Sequence, residues 1–211
     1  MLSILEEGIG KLRFLTMKMT RIEKRFVNRK KKAEGNIKRI QSAFLQIDMG
    51  KINTVLEIGC GIGFVSTYLA DSHNFIVYGT DYDAEQIKIA RKLQPEISNL
   101  YFQVEDAAKL SFEDSSIDMV ISQYVFHHIP DWEGAIKEIA RVLCSGGYFI
   151  WLDLTFPEIV KKVFLPFVKN YGLYTVYDIN SVFENNGFNK VSHECLSRGP
   201  LSQHHLILQL N

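Results

Sequence analysis

The chain has 211 residues, 46% of them hydrophobic and 23% charged, with 24 Lys and Arg against 24 Asp and Glu. That is enough apolar sequence for one domain with a full core, which excludes a disordered or fibrous protein. No run approaches the roughly 18 uninterrupted apolar residues of a membrane span.

Net charge is zero overall but not locally. Residues 1–40 hold 12 of the 24 basic residues and four acids (Glu6, Glu7, Glu23 and Glu34), a surplus of eight positive charges. A solvated helix face accounts for such a surplus; a basic arm that meets nucleic acid, anionic lipid or an acidic substrate is the other reading. Arg29-Lys30-Lys31-Lys32 is its densest stretch. Glu6 and Glu7 stand where a signal peptide would carry bases. Cys60, Cys144 and Cys195 form no C-x-x-C pair and no zinc spacing, so no metal is expected and the compartment reads as reducing and cytoplasmic.

Residues 3–47 read as helices, with Ile37, Ile40, Phe44 and Leu45 at helical spacing before the break at Asp48-Met49-Gly50. A strand follows over 54–58, then a glycine-rich turn and a helix to about residue 70. The second strand covers 75–80 and ends at Asp81. Asp83 and Gln86 form a capping-box pattern at the start of the next helix, whose apolar face is Ile87, Ala90 and Leu93. A third strand over 100–104 leads into Glu105-Asp106-Ala107, and a fourth over 117–122 into Gln123-Tyr124-Val125-Phe126-His127-His128. Pro130 and Asp131 open a helix expected to run through Leu143 and stop at Ser145-Gly146-Gly147 through a left-handed glycine cap. The fifth strand covers 148–153. Residues 156–177 are aromatic-rich and interrupted by Pro157, Pro166 and Gly172. A helix over 179–185 then ends at Gly187. Two final strands, 190–196 and 204–210, are joined by the turn sequence Ser197-Arg198-Gly199-Pro200.

Strands alternating with helices imply an α/β fold, a Rossmann-like, doubly wound parallel sheet with helices on both faces. Right-handed crossovers bring the loops after the strands to one edge. Glu57, Gly59, Asp81, Asp106 and Gln123 all fall at or after strand carboxyl ends.

Glu57-Ile58-Gly59-Cys60-Gly61-Ile62-Gly63 is the most informative stretch. Glycine tolerates positive φ and lets a ligand approach bare backbone, and the following helix offers free N–H groups. The dinucleotide fingerprint Gly-x-Gly-x-x-Gly fails, because from Gly59 its sixth position is the bulky Phe64 and from Gly61 it is Ser66. A nicotinamide dehydrogenase is thereby disfavoured. Glu-x-Gly-x-Gly-x-Gly instead resembles motif I of class I S-adenosylmethionine-dependent methyltransferases. Arg141-Val142-Leu143-Cys144-Ser145-Gly146-Gly147 resembles that family's Arg-Val-Leu-Lys-Pro-Gly-Gly, with Cys144 and Ser145 departing from it at a helix end. The resemblance extends over residues 55 to about 210, and makes the C-terminal hairpin the antiparallel part of a seven-stranded sheet.

The resemblance implies a cofactor site of Glu57, Gly59, Cys60, Gly61, Gly63, Asp81, Tyr82, Asp106, Ala107 and Gln123. In it Asp81 bonds the ribose hydroxyls, Tyr82 packs on the adenine, and Asp106-Ala107 meets the adenine edge. Turn and cap acids are the plain alternative for Asp81 and Asp106. His127 and His128 stand at the same edge, where a histidine can take a proton from an acceptor; packing and structural hydrogen bonding are the alternative for either. No Asp/Asn-Pro-Pro-aromatic signature of amino-group nucleic-acid methyltransferases is present, since that position reads Gln123-Tyr124-Val125-Phe126. His193, His204 and His205 alternate faces and make a weak metal site.

The expectation is a helical, basic cap over residues 1–50 and a cofactor-binding methyltransferase domain over 51–211, with 155–187 forming part of the acceptor pocket. Phe156, Phe164, Phe167, Tyr171, Tyr174 and Tyr177 would line that pocket or the core. The expected cofactor is S-adenosyl-L-methionine and the expected partner a small organic acceptor. An RNA-binding or RNA-modifying enzyme and a non-catalytic cofactor-binding domain are the alternatives.

Overall fold

The computed structural model describes residues 30–94, 97–164, 171–199 and 201–211. The expected helices before residue 30, most of the basic arm, Pro166, Phe167 and the side chain of Phe164 lie outside them.

The order along the chain is α1 (Lys30–Phe44), β1 (Thr54–Ile58), α2 (Phe64–Ser72), β2 (Ile76–Asp81), α3 (Ala84–Leu93), β3 (Leu100–Val104) and β4 (Ile117–Gln123). After these come α4 (Trp132–Val142), β5 (Leu143–Thr155), α5 (Glu158–Phe164), α6 (Val176–Asn185), β6 (Phe188–Ser197) and β7 (Ser202–Leu210). The strands form one seven-stranded sheet in the order β3-β2-β1-β4-β5-β7-β6. β1 to β5 are parallel, and β7 runs antiparallel to both β5 and β6. Strand order reverses at β1, so the crevice between the β1 and β4 ends is the switch point where α/β sheets take ligands.

β1 and β4 sit at the sheet centre, buried on both faces, and therefore read as continuous apolar runs. Leu56, Ile58 and Val120 face α4 and α6, with Phe149, Trp151, Tyr174 and Phe183 in the same cluster. Val55, Met119 and Ile121 face α1 and α2, packed with Ile40, Ala43, Val65 and Leu69. Helix α1 therefore belongs to the sheet packing, covering its first face. Asp118 ties the entry of β1 down by accepting from Asn53 and Thr54 N–H at 2.9 Å each. Among the described residues no helix is long and apolar enough to cross a membrane.

Several expectations shift. Helix α4 ends at Val142, because Leu143 turns extended and pairs with Ile117 across a bulge; Gly146, at φ 77°, lies inside β5 and caps no helix. Helix α5 occupies a stretch expected to be irregular. Helix α6 begins three residues early, since Thr175 and Asp178 form a reciprocal capping box that fixes its start. Asp83 does cap α3, accepting from Glu85 N–H at 3.0 Å, but that helix buries Gln86 with Ile87 and Ala90 while Leu93 is 58% exposed.

Candidate functional site

The cavity lies at the carboxyl edge of the sheet. Its walls include Glu57, Gly59, Cys60 and Gly61 at and after the end of β1, Asp81 and Tyr82 at the end of β2, and Glu105 and Ala107 after β3. Gln123, Tyr124, Val125 and His128 close it from β4, with Lys32 and Asn36 of α1 above.

The glycine turn is held by its neighbours. Cys60 N–H donates to Thr80 O at 2.8 Å, and Thr80 Oγ1 donates to Glu57 O at 2.8 Å. Asp81, only 8% exposed, accepts from Gly61 N–H on one oxygen and from Asp83 N–H on the other, both at 2.9 Å. Two glycines are dictated by space as well as by φ. Gly59 has φ 73°, and a Cβ there would lie 2.2 Å from Val125 Cγ2. Gly63 has φ 83°, and its Cβ would lie 2.5 Å from Phe102 Cζ.

Glu57 is buried and accepts from Ser66 Oγ of α2. Desolvation pushes its carboxyl up to about 7, against the hydrogen bonds from Ser66, and Asp81 adds to the rise. The Cys60 thiol is held well above its ordinary range by burial, with Glu57 and Asp81 raising it further. Such a thiol is a packed filler rather than a nucleophile.

The two histidines separate. His127 Nδ1 lies 2.5 Å from Asp153 Oδ1, and Asp153 is fully buried at the end of β5. The same carboxylate accepts from Phe126 N–H and Leu154 N–H, each at 2.6 Å, so it shapes the loop after β4. His128 lines the cavity, its ring 4.0 Å from that of His127 and 5.7 Å from Tyr171.

Of the expected site, Glu57, Gly59, Cys60, Gly61, Asp81, Tyr82, Ala107, Gln123 and His128 share this cavity. Gly63 stands behind it as the N-cap of α2, and His127 stands behind His128. Asp106 is turned aside: its carboxylate accepts from Ala108 N–H at 2.9 Å, and Glu105 and Ala107 take the wall on either side of it. That loop is clamped by Arg141, which donates to Leu110 O and Phe112 O and pairs with Asp114 and Glu138. The aromatics of 155–187 divide: Tyr174 is core, Tyr177 is 79% exposed, and Phe156 lines a separate groove with Thr155 and His204. Sequence reasoning missed Lys32, Asn36, Glu105, Tyr124 and Asp153. Only Tyr124 carried a signal, its place directly after the β4 tip. It adopts φ 60°, a strained conformation for a bulky residue, at the cavity edge. Among the described residues, no group of three or more His, Cys, Asp or Glu is arranged to hold a metal ion.

Residues 56–151 match the family described as "Methyltransferase domain". The chain is 41% identical over 100 residues to 2-methyl-6-phytyl-1,4-hydroquinone methyltransferase of Synechocystis sp., covering 47% of this chain and 31% of that protein. It is 37% identical over 100 residues to fatty-acid O-methyltransferase of Mycolicibacterium smegmatis, covering 47% and 36% respectively. The chain thus spans about a third of the length of these relatives. A solved S-adenosylmethionine-dependent methyltransferase of Methanosarcina mazei superposes with a TM-score of 0.62 at 24% identity, over 76% of this chain and 93% of that one. It shares the fold.

Two outcomes are expected. A carboxyl raised from 4.5 to about 7 holds its proton more tightly folded than unfolded. Its contribution is therefore most favourable below about pH 4.5 and is lost as pH climbs through 7. Glu57→Gln should match the parent in thermal melting at pH 5 and exceed it at pH 8; an equal difference at both would show that Glu57 does not titrate this way. Gly59→Ala should destabilise by about 1–3 kcal/mol through strain and overlap, and Val125→Ala in the same chain should recover part of that loss in urea unfolding.

Proposed function

We propose that this chain, whose residues 56–151 match the methyltransferase-domain family, is an S-adenosylmethionine-dependent methyltransferase that acts on a small organic acceptor. The observation that carries the reading is one cavity formed by a glycine turn open to ligand and by Asp81, the carboxylate that pins it.

The residues fit the cofactor by their own chemistry. Asp81 accepts Gly61 N–H on one oxygen and Asp83 N–H on the other, and a carboxylate is the acceptor that suits ribose hydroxyls through charge-assisted bonds. Tyr82, partly exposed, and Ala107 line the same cavity and are the residues that would meet the adenine. Glu57, Asp81 and Glu105 make the walls electronegative, which favours a cationic ligand. When bound, the cofactor supplies a methyl group activated by its sulfonium charge. The chain's task is then alignment and exclusion of water, for which Ile58, Ile62, Val65 and Ile129 provide apolar wall. His128 is the group placed to take a proton from an acceptor hydroxyl or amine, propped by His127, which Asp153 holds.

The relatives named for a phytyl hydroquinone and for fatty acids support an apolar acceptor. A reducing cytoplasmic setting belongs to the same reading, supported by three free cysteines. The RNA reading is less well supported: of the basic run, Lys32 lines the cavity instead of a solvated face.

Calorimetry with S-adenosylmethionine and S-adenosylhomocysteine tests the cofactor, and absence of heat from both at saturating concentration would remove it. Asp81→Ala should weaken S-adenosylhomocysteine by about 1–3 kcal/mol, the usual cost of deleting a charged hydrogen-bond partner. With an acceptor drawn from a metabolite pool by methyl uptake, His128→Gln should lower turnover by about 10²-fold or more. Its affinity for S-adenosylhomocysteine should stay within about threefold; unchanged turnover would leave His128 as wall only.

A further inference from the structure

The connection from β5 to α6 leaves the sheet edge at Phe156 and returns at Tyr174, where Phe156 N–H donates to Tyr174 O at 2.9 Å. Before returning it meets the loop after β4. Gly172 N–H donates to His127 O at 3.1 Å, and the Tyr171 ring lies 5.7 Å from that of His128. Helix α5, seven residues long, is thus carried at the same edge as the cavity, in the connection that touches the histidine loop.

One face of α5 is turned inward by charge, since Lys161 Nζ pairs with Asp178 Oδ2 of α6 at 2.6 Å. At 3.6 residues per turn, the positions two before and two after Lys161 lie on the opposite face. They are Ile159 and Val163, 71% and 53% exposed. Tyr177 of α6 and Leu201 of the β6–β7 turn are exposed as well, and Tyr177 shares a groove with Phe156, Glu158 and Arg198. Large apolar side chains gathered in water mark a contact surface. The charges around them are basic on balance. Glu158 and Asp178 are each met by a lysine, Lys162 and Lys161, while Arg198 is exposed in the β6–β7 turn. From the other face of the sheet, α1 opens at this edge with Lys30-Lys31-Lys32. Outward apolar groups flanked by basic ones complement an anionic lipid surface: the first enter the acyl boundary and the second meet headgroups. Two outward side chains on one short helix are little for a stable protein interface.

We propose that the outward face of α5, with Tyr177, Leu201 and Arg198, docks the chain on an anionic lipid bilayer and sets the cavity edge against the membrane that holds its acceptor. The inference rests on the apolar-acceptor reading above and adds where that acceptor is met. The contact is interfacial: Ile159 and Val163 enter the boundary between headgroups and acyl chains, and nothing crosses the bilayer. Lys162 and Arg198 stay at the headgroup level, their long stems covering apolar surface while their charges remain in water.

The test is co-sedimentation of the full chain with vesicles of phosphatidylcholine alone and of phosphatidylcholine mixed equally with phosphatidylglycerol. The parent should bind the mixed vesicles about 10-fold more tightly than the neutral ones and lose that preference in high salt. Ile159→Ser combined with Val163→Ser should weaken binding to the mixed vesicles about 10-fold or more, because buried apolar area sets interfacial affinity. Arg198→Glu should weaken it in low salt only. Leu45→Ser, which removes a strongly exposed apolar side chain just after α1, should change nothing. Every variant should hold S-adenosylhomocysteine within about threefold of the parent, which shows an intact fold. A parent that ignores both vesicles overturns the proposal, and so does a double variant that binds like the parent. Loss on Lys30→Gln with Lys31→Gln would in that second case place the lipid contact on the basic run. Self-association in gel filtration that needs Ile159 and Val163, without vesicle binding, would make the face a protein interface and overturn it too. Vesicle binding by the parent with no methyl uptake into apolar acceptors carried in the bilayer upholds the docking and removes the apolar-acceptor reading. Uptake into a dispersed acceptor with no vesicle binding does the reverse.

Discussion

The grip of the Asp81 carboxylate on the N–H groups of Gly61 and Asp83 is the interaction on which the rest of the site depends. It bonds the tip of β2 to the turn after β1 and to the approach to α3, three segments that meet only at this edge. Positive φ at Gly59, Gly61 and Gly63 makes the turn possible but leaves it many shapes. The carboxylate selects one, assisted by the Cys60 to Thr80 and Thr80 to Glu57 bonds. The turn is thus held by two central strands, which gives more precision than a loop held only by itself. Asp81 is nearly buried, yet it accepts from two backbone donors and also lines the cavity.

That arrangement has an electrostatic cost. Glu57, Asp81 and Glu105 line one small space, and Glu57 responds by holding its proton to about pH 7. Desolvation is the larger cause, with Asp81 contributing repulsion. A cationic ligand placed there offsets both, because it favours the charged form of every carboxylate around it. Charge crowding that costs stability at this edge would then also favour a bound cation. Perturbed acids in a cleft have this double character, and here geometry and charge point to the same ligand class.

Legibility in the sequence followed local punctuation. β1 and β3 were readable to the residue, since short runs of strand-forming residues bounded by turn residues leave little freedom. The glycine turn and Asp81 were readable as positions in the fold, a turn after the first strand and an acid at the tip of the second. The end of α4 was not, because Leu143 and Cys144 left the helix to join β5, a tertiary pairing that no local pattern records. Helix α6 began a turn early because Thr175 and Asp178 cap it, a pair that local reading had passed over amid the aromatics. Lys32 was hidden in a run of like charges, where each lysine looks as solvated as the next. Asp153 looked like any acid at a strand end; only the fold brings His127, Phe126 N–H and Leu154 N–H to it. The resemblance points to Asp106-Ala107, while the turn places Glu105 and Ala107 on the wall and has Asp106 accept from Ala108 N–H.

The loop after β4 joins the two halves of the cavity. Asp153 fixes its far side through Phe126 N–H and His127, and Val125 on its near side fills the space that a Cβ at Gly59 would occupy. Just before Val125 the chain passes through Tyr124 in a left-handed conformation, with Lys32 above its ring. His127, held by Asp153, and Val125, packed against Gly59, thus tie the loop that carries His128 to the glycine turn. Close packing of this kind leaves little room for either to be placed independently. The groups that would orient the acceptor and those that would hold the cofactor are thereby set by one rigid contact, which suits a reaction that depends on alignment across the cavity.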